Sequence, residues 1–200
     1  MARPKKGSGI TPAREQIIET FWRLVDERPL SEITVSSVVQ LAGCNRTTFY
    51  YHFPCFEDLV KAAVEQTLPI EVTRLALASC KDGLPDHWLS GRHWTDARRI
   101  GLLAAQTNVP WLVQLMRGEI EQAWARELGV DVRRDDVAPL VDFMVNGLLG
   151  LVAGCATSQG PEQLELALRL VHTVLAHPGI SYLRSLSGEG EWPNTSPQDR

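Results

Sequence analysis

Apolar residues recur along most of this chain at intervals of three and four, the spacing that places them on one face of an α-helix. No segment of strand length alternates between apolar and polar residues, and no internal repeat is present. The pattern therefore predicts an all-α protein.

The first predicted helix begins at Thr11, a favoured N-cap residue, with Pro12 in the first helical position. It ends before Pro29. Its apolar face consists of Ile17, Phe21, Leu24 and Val25. These positions predict a helix that buries one side.

Two short helices follow, at residues 35–42 and about 45–51. Thr34 caps the first, and Gly43, which tolerates a positive φ, ends it. Helices this short are unstable alone, so both must pack on the first helix. The side chains expected to make that contact are Val38, Val39, Leu41, Phe49 and Phe53.

A long helix is predicted from about residue 56 to 79, kinked or interrupted at Pro69, and an irregular crossing follows at 81–96. Residues 95–106 are predicted to be helical, and a further helix starts near Asn108 and Pro110 and ends at Gly129. Its stripe comprises Leu112, Met116, Ile120, Trp124 and Leu128.

The last two predicted helices, at about 135–158 and 161–176, are apolar on two faces. Both faces need a cover, and a second subunit would provide it through a four-helix bundle across a two-fold axis. Gly147, Gly150 and Gly154 would allow two helix backbones to approach closely, either at that interface or within the chain. Residues 185–200 are predicted to be a disordered tail.

The charge distribution refines this picture. A net charge of −4 and a pI near 5.7 do not by themselves favour a nucleic-acid binder. Residues 1–52, however, carry seven Lys or Arg against five acids, so the remaining residues hold the negative charge. A polyanion should therefore meet the N-terminal quarter of the chain.

The four cysteines show no disulfide or zinc spacing, and buried reduced thiols are expected. No apolar run of signal-peptide length follows the basic N-terminus. Residues 137–156 approach the length of a bilayer span but contain Asp142 near the middle, which is unfavourable in a membrane. A cytoplasmic protein without membrane association or cofactor is predicted.

Residues 34–60 read TVSSVVQLAGCNRTTFYYHFPCFEDLV. This segment resembles the signature of the TetR family of transcriptional regulators. The resemblance implies about nine helices, with a helix-turn-helix DNA-binding domain at residues 1–55 and a ligand-binding and dimerisation domain at 56–184. It also implies repression that a small molecule relieves.

By the same resemblance, Arg46 and Thr47 meet base edges, and Arg46 can bind a guanine through two hydrogen bonds. Hydroxyls at the start of the preceding helix hold a phosphate. The full DNA-binding set is Thr34, Ser36, Ser37, Arg46, Thr47, Thr48, Tyr50, Tyr51 and His52. Phe49 and Phe53 are expected in the core.

One position departs from the family. Many members carry a phosphate-binding lysine where this chain has Phe56. A basic N-terminal arm, with Lys5, Lys6 and Arg14, is the predicted compensation.

Possible ligand-binding residues are aromatic or polar positions in the C-terminal part. They are Trp88, Trp94, Trp111, Gln114, Trp124, Asp142 and Asn146. Aromatic residues at helical spacing are more often core, which is the alternative reading of the tryptophans. Asp86, His87, His93 and Asp96 lack a recognised ligand spacing, so no metal site is predicted.

The function predicted is a homodimeric repressor whose recognition helices enter successive major grooves of a palindromic operator, about 34–36 Å apart. An unknown small-molecule effector would release it. The alternatives are an activator or a ligand-independent regulator of the same fold, a helical interaction protein, and an enzyme. The sequence contains no recognisable catalytic arrangement of a nucleophile, a base and an orienting residue, and this disfavours an enzyme.

Overall fold

A computed structural model describes residues 13–79, 89–106, 109–158, 160–171, 173 and 177–186. Within these ranges all regular structure is helical, which confirms the all-α prediction. A 3-10 helix, Leu30–Glu32, accompanies nine α-helices. They are α1 (Ala13–Glu27), α2 (Val35–Ala42), α3 (Arg46–His52), α4 (Phe56–Ser79), α5 (Arg92–Ala104), α6 (Pro110–Leu128), α7 (Ala138–Ser158), α8 (Pro161–Val171) and α9 (His177–Leu186).

The chain divides into two compact units, the first ending at Ala63 and the second beginning at Val64. The division falls within α4, which runs through Pro69 without an assigned break. The predicted N-cap at Thr11 and most of the predicted crossing at 81–96 lie outside the described residues.

The core of the first unit forms where the hydrophobic pattern predicts it. The apolar face of α1 is buried, as are Phe49 and Phe53. Val38 and Val39 of α2 also point inward, but Leu41 is exposed, so the prediction that it packs on α1 is wrong. The third inward position of α2 is Ala42, three residues after Val39 and therefore on the same helical face.

Local hydrogen bonds define the ends of α2 and α3. Thr34 and Ser37 form a capping box at the start of α2, and Gly43 ends it with a φ of 65°. Asn45 caps α3, with its Oδ1 accepting the Thr48 N–H at 2.8 Å. Helix α3 therefore starts at Arg46, one residue later than predicted, because Asn45 has the extended backbone of a cap.

Replacing this cap should weaken the first unit. We expect Asn45→Ala to reduce the free energy of unfolding by about 1 kcal/mol, because the Thr48 N–H loses its acceptor. Chemical denaturation followed by circular dichroism measures the change. Thr47→Ala alters an exposed side chain of the same helix and should shift the free energy by less than about 0.5 kcal/mol. Equal effects from both variants would contradict a role for the cap.

In the second unit, the predicted stripe of α6 is buried from Leu112 to Leu128. Helices α5 and α7 pack closely at Gly101, where an added Cβ would lie 2.5 Å from the Val152 carbonyl oxygen and from the Ala156 Cβ. Only glycine fits this crossing without movement of one helix.

Helix α9 was not predicted, since the last helix expected from the pattern ended at about residue 176 and a disordered tail was expected from residue 185. Pro178 occupies the second position of α9, where its missing N–H costs no helical hydrogen bond. Ile180 and Leu183 of this helix are buried. The remainder of the predicted tail, from residue 187, lies outside the described residues.

Among the described residues, one helical stretch is long and apolar enough to cross a membrane. It is Ala138–Thr157, with a hydropathy of 1.6 and a third of its residues buried inside the protein. It forms most of α7, which packs against α5 at Gly101.

Candidate functional site

Polar and aromatic side chains cover the outer side of α3, opposite the buried Phe49. Arg46, Thr47, Tyr50 and Tyr51 are exposed, and Tyr51 retains 84% of its accessible surface. A side chain this exposed adds little to the stability of the folded chain through burial. Exposed aromatic and cationic side chains on one short helix are typical of a surface that meets another molecule.

The exposed guanidinium of Arg46 is held from the preceding helix. Its Nη2 donates a hydrogen bond to Ser36 Oγ at 2.5 Å. A guanidinium carries five N–H donors in a rigid fork, so this bond orients the group and leaves donors for a ligand. The sequence assigned Ser36 to phosphate binding, whereas the structure gives it this second role.

Three other residues of the predicted DNA-binding set have hydroxyls engaged within the chain. Thr34 Oγ1 accepts the Ser37 N–H at 3.2 Å, and Ser37 Oγ donates to the Thr34 carbonyl at 2.8 Å. Thr48 Oγ1 donates to Asn45 Oδ1 at 3.1 Å. These bonds shape the helix starts, and DNA contact by the same residues remains a prediction.

Ring packing orients the aromatic residues of α3. The Tyr50 ring lies edge-on to Phe49, with centroids 5.3 Å apart, and the partly buried His52 contacts Tyr51 with centroids 5.0 Å apart. Tyr50 is therefore anchored on the core through its ring while half of its surface stays exposed. These ring contacts limit the rotamers that Tyr50 and Tyr51 can adopt on the outer face of α3.

The residue at the position of the family's lysine packs inside the first unit. The Phe56 ring lies edge-on to Phe21, with centroids 6.1 Å apart. Arg14, one residue of the predicted basic arm, places its guanidinium 5.5 Å from the centre of the Phe53 ring. Lys5 and Lys6 lie outside the described residues, so their part in that arm remains a prediction.

The cysteines depart partly from expectation. Cys155 is buried and Cys44 half-buried, but Cys55 is exposed, so the expectation of buried thiols is wrong there. Cys55 Sγ donates to Asp58 Oδ2 at 3.1 Å, and this hydrogen bond raises the pKa of the thiol. Burial raises the pKa of Cys44. Cys80 lies outside the described residues.

The second unit contains a cavity of about 50 Å³. Of the ten described residues that line it, nine are apolar and the tenth is Glu71. The apolar ones are Leu68, Leu89, Ala97, Ile100, Ile120, Leu148, Leu149, Val152 and Leu168. A mostly apolar concavity with one polar group is the usual form of a small-molecule site.

None of the described residues that were predicted to bind a ligand is among the described residues that line this cavity. Trp94 packs against an apolar cluster that shares Leu89, Val152 and Leu168 with the cavity wall. Trp111 and Gln114 are exposed. Trp88 lies outside the described residues.

The other predicted ligand residues also lie elsewhere. Trp124 is buried, and its Nε1–H meets no acceptor in the described part of the chain. Asp142 pairs with Arg117, and Asn146 donates to the Asp142 carbonyl at 2.8 Å. A ligand contact by any of these residues is untested. Glu71 was missed because a single glutamate on a predicted helix carries no signal in the sequence.

Among the described residues, no three His, Cys, Asp or Glu side chains are grouped as they would be around a metal. His93 instead pairs with Glu71, its Nδ1 lying 2.9 Å from Oε1, and Asp96 pairs with Arg92. Asp86 and His87 lie outside the described ranges.

Similar folds occur among solved structures. A TetR-family transcriptional regulator from Streptomyces coelicolor is 18% identical, with a TM-score of 0.52 over 89% of this chain and 85% of that one. The TetR-family repressor AlkX from a Dietzia species, implicated in n-alkane biodegradation, is 18% identical, with a TM-score of 0.49. The match covers 90% of this chain and 98% of AlkX. Salmonella enterica GusR is 12% identical, with a TM-score of 0.48 and coverages of 90% and 100%.

No protein-family model and no curated protein matches the sequence. The assignment of the fold therefore depends on the structural similarity to the Streptomyces regulator. The same helix order, with a helix-turn-helix in the first unit, was expected from residues 34–60. The chain has the fold of a TetR-type transcriptional regulator.

Proposed function

We propose that this protein is a DNA-binding transcriptional regulator, a homodimeric repressor released from a palindromic operator by a small molecule. The observation that carries the proposal is the outer face of α3, where an oriented Arg46 lies beside exposed tyrosines in a regulator-type fold. Residues 1–55 would form the DNA-binding domain and 56–184 the ligand-binding and dimerisation domain.

The chemistry of α3 suits a major groove. A short helix presented by its N-terminal residues can reach base edges, while hydroxyls and backbone amides around it hold phosphates. Arg46 is in the first position of α3, so it would meet a base first, and guanine is its best partner. The DNA backbone and neighbouring bases would be contacted by Tyr50, Tyr51 and His52.

The experiment is a binding titration with duplex DNA from the region flanking the protein's own gene, at several salt concentrations. We expect affinity to fall as salt rises, because bound phosphates release counterions. Arg46→Ala should cost about 1–3 kcal/mol of specific binding and relax the preference at one base pair in each half-site.

Arg28→Ala is the matched control. It removes the same charge from the residue that directly follows α1, beside Glu27. Its effect on specific affinity should be small. Equal losses from both variants, or affinity that does not respond to salt, would refute specific DNA binding through α3. Reporter output from the same promoter separates repression from activation.

A second copy is the proposed cover for α7 and α8. Phe143, Leu166 and Leu170 are large apolar side chains that are exposed on these two helices. A Cβ added at Gly150 or Gly154 would meet nothing within 4 Å, so a neighbouring helix has room to approach. A monomer rarely leaves such a face open to water, which supports an isologous dimer.

An effector that binds in the cavity of the second unit would release the protein from DNA. A ligand shifts an equilibrium only by its difference in affinity between two states, so the effector must bind the DNA-incompetent state more tightly. The proposed setting is the cytoplasm, with no cofactor and no membrane association.

A further inference from the structure

The guanidinium of Arg46 is bonded to a residue of the preceding helix. Its Nη2 donates to Ser36 Oγ at 2.5 Å, and this hydrogen bond joins the first residue of α3 to the second residue of α2. Both side chains are exposed, so burial does not hold the arginine in place. The serine hydroxyl is therefore the contact that fixes the end of this long side chain.

The serine is itself held in a defined position. The capping box of Thr34 and Ser37 sets the first turn of α2, and Ser36 lies inside that turn. The arginine starts from an equally defined point, because Asn45 caps α3 one residue earlier. A serine side chain has far fewer rotamers than an arginine side chain. The hydrogen bond therefore restricts the flexible arginine through the stiffer serine.

The bond leaves the arginine able to bind a base. A guanidinium has two edges that each carry a pair of N–H groups, and Nη2 contributes one hydrogen to each edge. Because Ser36 accepts one of these hydrogens, the other edge keeps both of its donors. Guanine offers the acceptors O6 and N7 in the major groove, whereas adenine has an amino group in place of O6. The free edge of Arg46 therefore matches guanine.

The orientation of this arginine bears on sequence preference more than on charge. A freely moving arginine still attracts DNA, since its charge is the same in every rotamer, and it can bind a phosphate or another base. An arginine held in one direction presents its donors to one base pair. The hydroxyl of Ser36 should therefore affect the choice of sequence and leave the salt dependence of binding unchanged.

We propose that Ser36 is a positioning residue for sequence recognition: its hydroxyl holds the Arg46 guanidinium in the direction that binds a guanine, and it contacts no base itself. This inference rests on the proposed function, since it requires α3 to lie in a major groove. Direct binding of a phosphate by Ser36 is the competing role, and the two roles predict different results.

A double-mutant cycle on the full-length protein separates the two roles. Affinity is measured by fluorescence anisotropy for the operator duplex, and for a duplex in which the G·C pair whose preference is lost in Arg46→Ala is changed to A·T. We expect the wild type to prefer the G·C duplex by about tenfold or more. The preference of Ser36→Ala should fall to about threefold or less, with an unchanged salt dependence.

The second arm of the cycle starts from Arg46→Ala. There Ser36→Ala should have almost no further effect on affinity, because no guanidinium remains to be held. A phosphate contact by the hydroxyl would instead cost the same affinity in both backgrounds.

Two further variants isolate the hydroxyl. Ser36→Thr keeps a hydroxyl at this position and should retain the preference for the G·C duplex. Ser31→Ala is the matched control, because Ser31 is an exposed serine of the 3-10 helix in the same unit. It should leave the preference unchanged.

A measurement without DNA tests the hydrogen bond itself. The order parameter of the Arg46 Nε–H, obtained from ¹⁵N NMR relaxation, reports the motion of the side chain on the picosecond-to-nanosecond timescale. It should fall in Ser36→Ala and stay at the wild-type value in Ser31→Ala. Since Ser36 is exposed and alanine favours helices, Ser36→Ala should fold as the wild type does.

Four outcomes would overturn the proposal: the wild-type base preference in Ser36→Ala, an equal loss of affinity in the two backgrounds of the cycle, a lost preference in Ser36→Thr, or an unchanged order parameter. A wild type that binds no duplex, or a base preference that survives Arg46→Ala, would contradict the proposed function itself. The two failures are therefore distinguishable.

Discussion

Gly101→Ala is expected to reduce the free energy of unfolding of the second unit by about 3 kcal/mol, the upper end of the range for overpacked cores. The new methyl carbon would lie 2.5 Å from the Val152 carbonyl oxygen. A backbone oxygen cannot rotate away as a side chain can, so α5 and α7 must separate. For a chain of this size the midpoint of thermal unfolding should fall by roughly 6–12 °C.

Gly118→Ala is the control. It makes the same substitution within α6, where an added Cβ meets nothing within 4 Å. Alanine is the better helix former, so this variant should be about 0.5–1 kcal/mol more stable than the wild type. Thermal and urea unfolding, followed by circular dichroism, compare the two. Equal stability of Gly101→Ala and the wild type would show that the helices do not cross this closely.

The double substitution Leu166→Asp and Leu170→Asp should abolish dimerisation at micromolar protein concentration. Both leucines lie on α8 with 60% and 59% of their surface exposed in the single chain. In a two-fold dimer each substitution occurs twice, and each removes apolar burial and places a carboxylate in the interface. A rise in the dimer dissociation constant of about a hundredfold or more is expected.

Sedimentation velocity over a range of protein concentrations measures this change. Ile70→Asp is the control, because Ile70 is 55% exposed on α4 and belongs to neither α7 nor α8. It should leave the association unchanged. A monomeric wild-type protein, or a double variant that still dimerises, would contradict the proposed interface. Loss of the dimer should also remove operator binding, since one recognition helix then binds alone.

Two positions show where reasoning from the sequence failed. Leu41 was assigned to the core because it is apolar, yet Val38, Val39 and Ala42 fill the inward face of α2 and leave it exposed. No helix was predicted after about residue 176, yet residues 177–186 form α9, whose buried Ile180 and Leu183 stabilise it through packing. In both cases the outcome depends on what neighbouring helices already cover.

The amino-acid sequence by itself determined the helical class, the buried faces of α1 and α6, and the ends of α2, because periodicity and capping act between residues within about four positions of one another. The three-dimensional packing alone decided the bond from Arg46 to Ser36, the crossing at Gly101 and the cavity with Glu71. These features join residues that are distant in sequence, and their energies arise from shape and exclusion of water, which no local pattern of residues records.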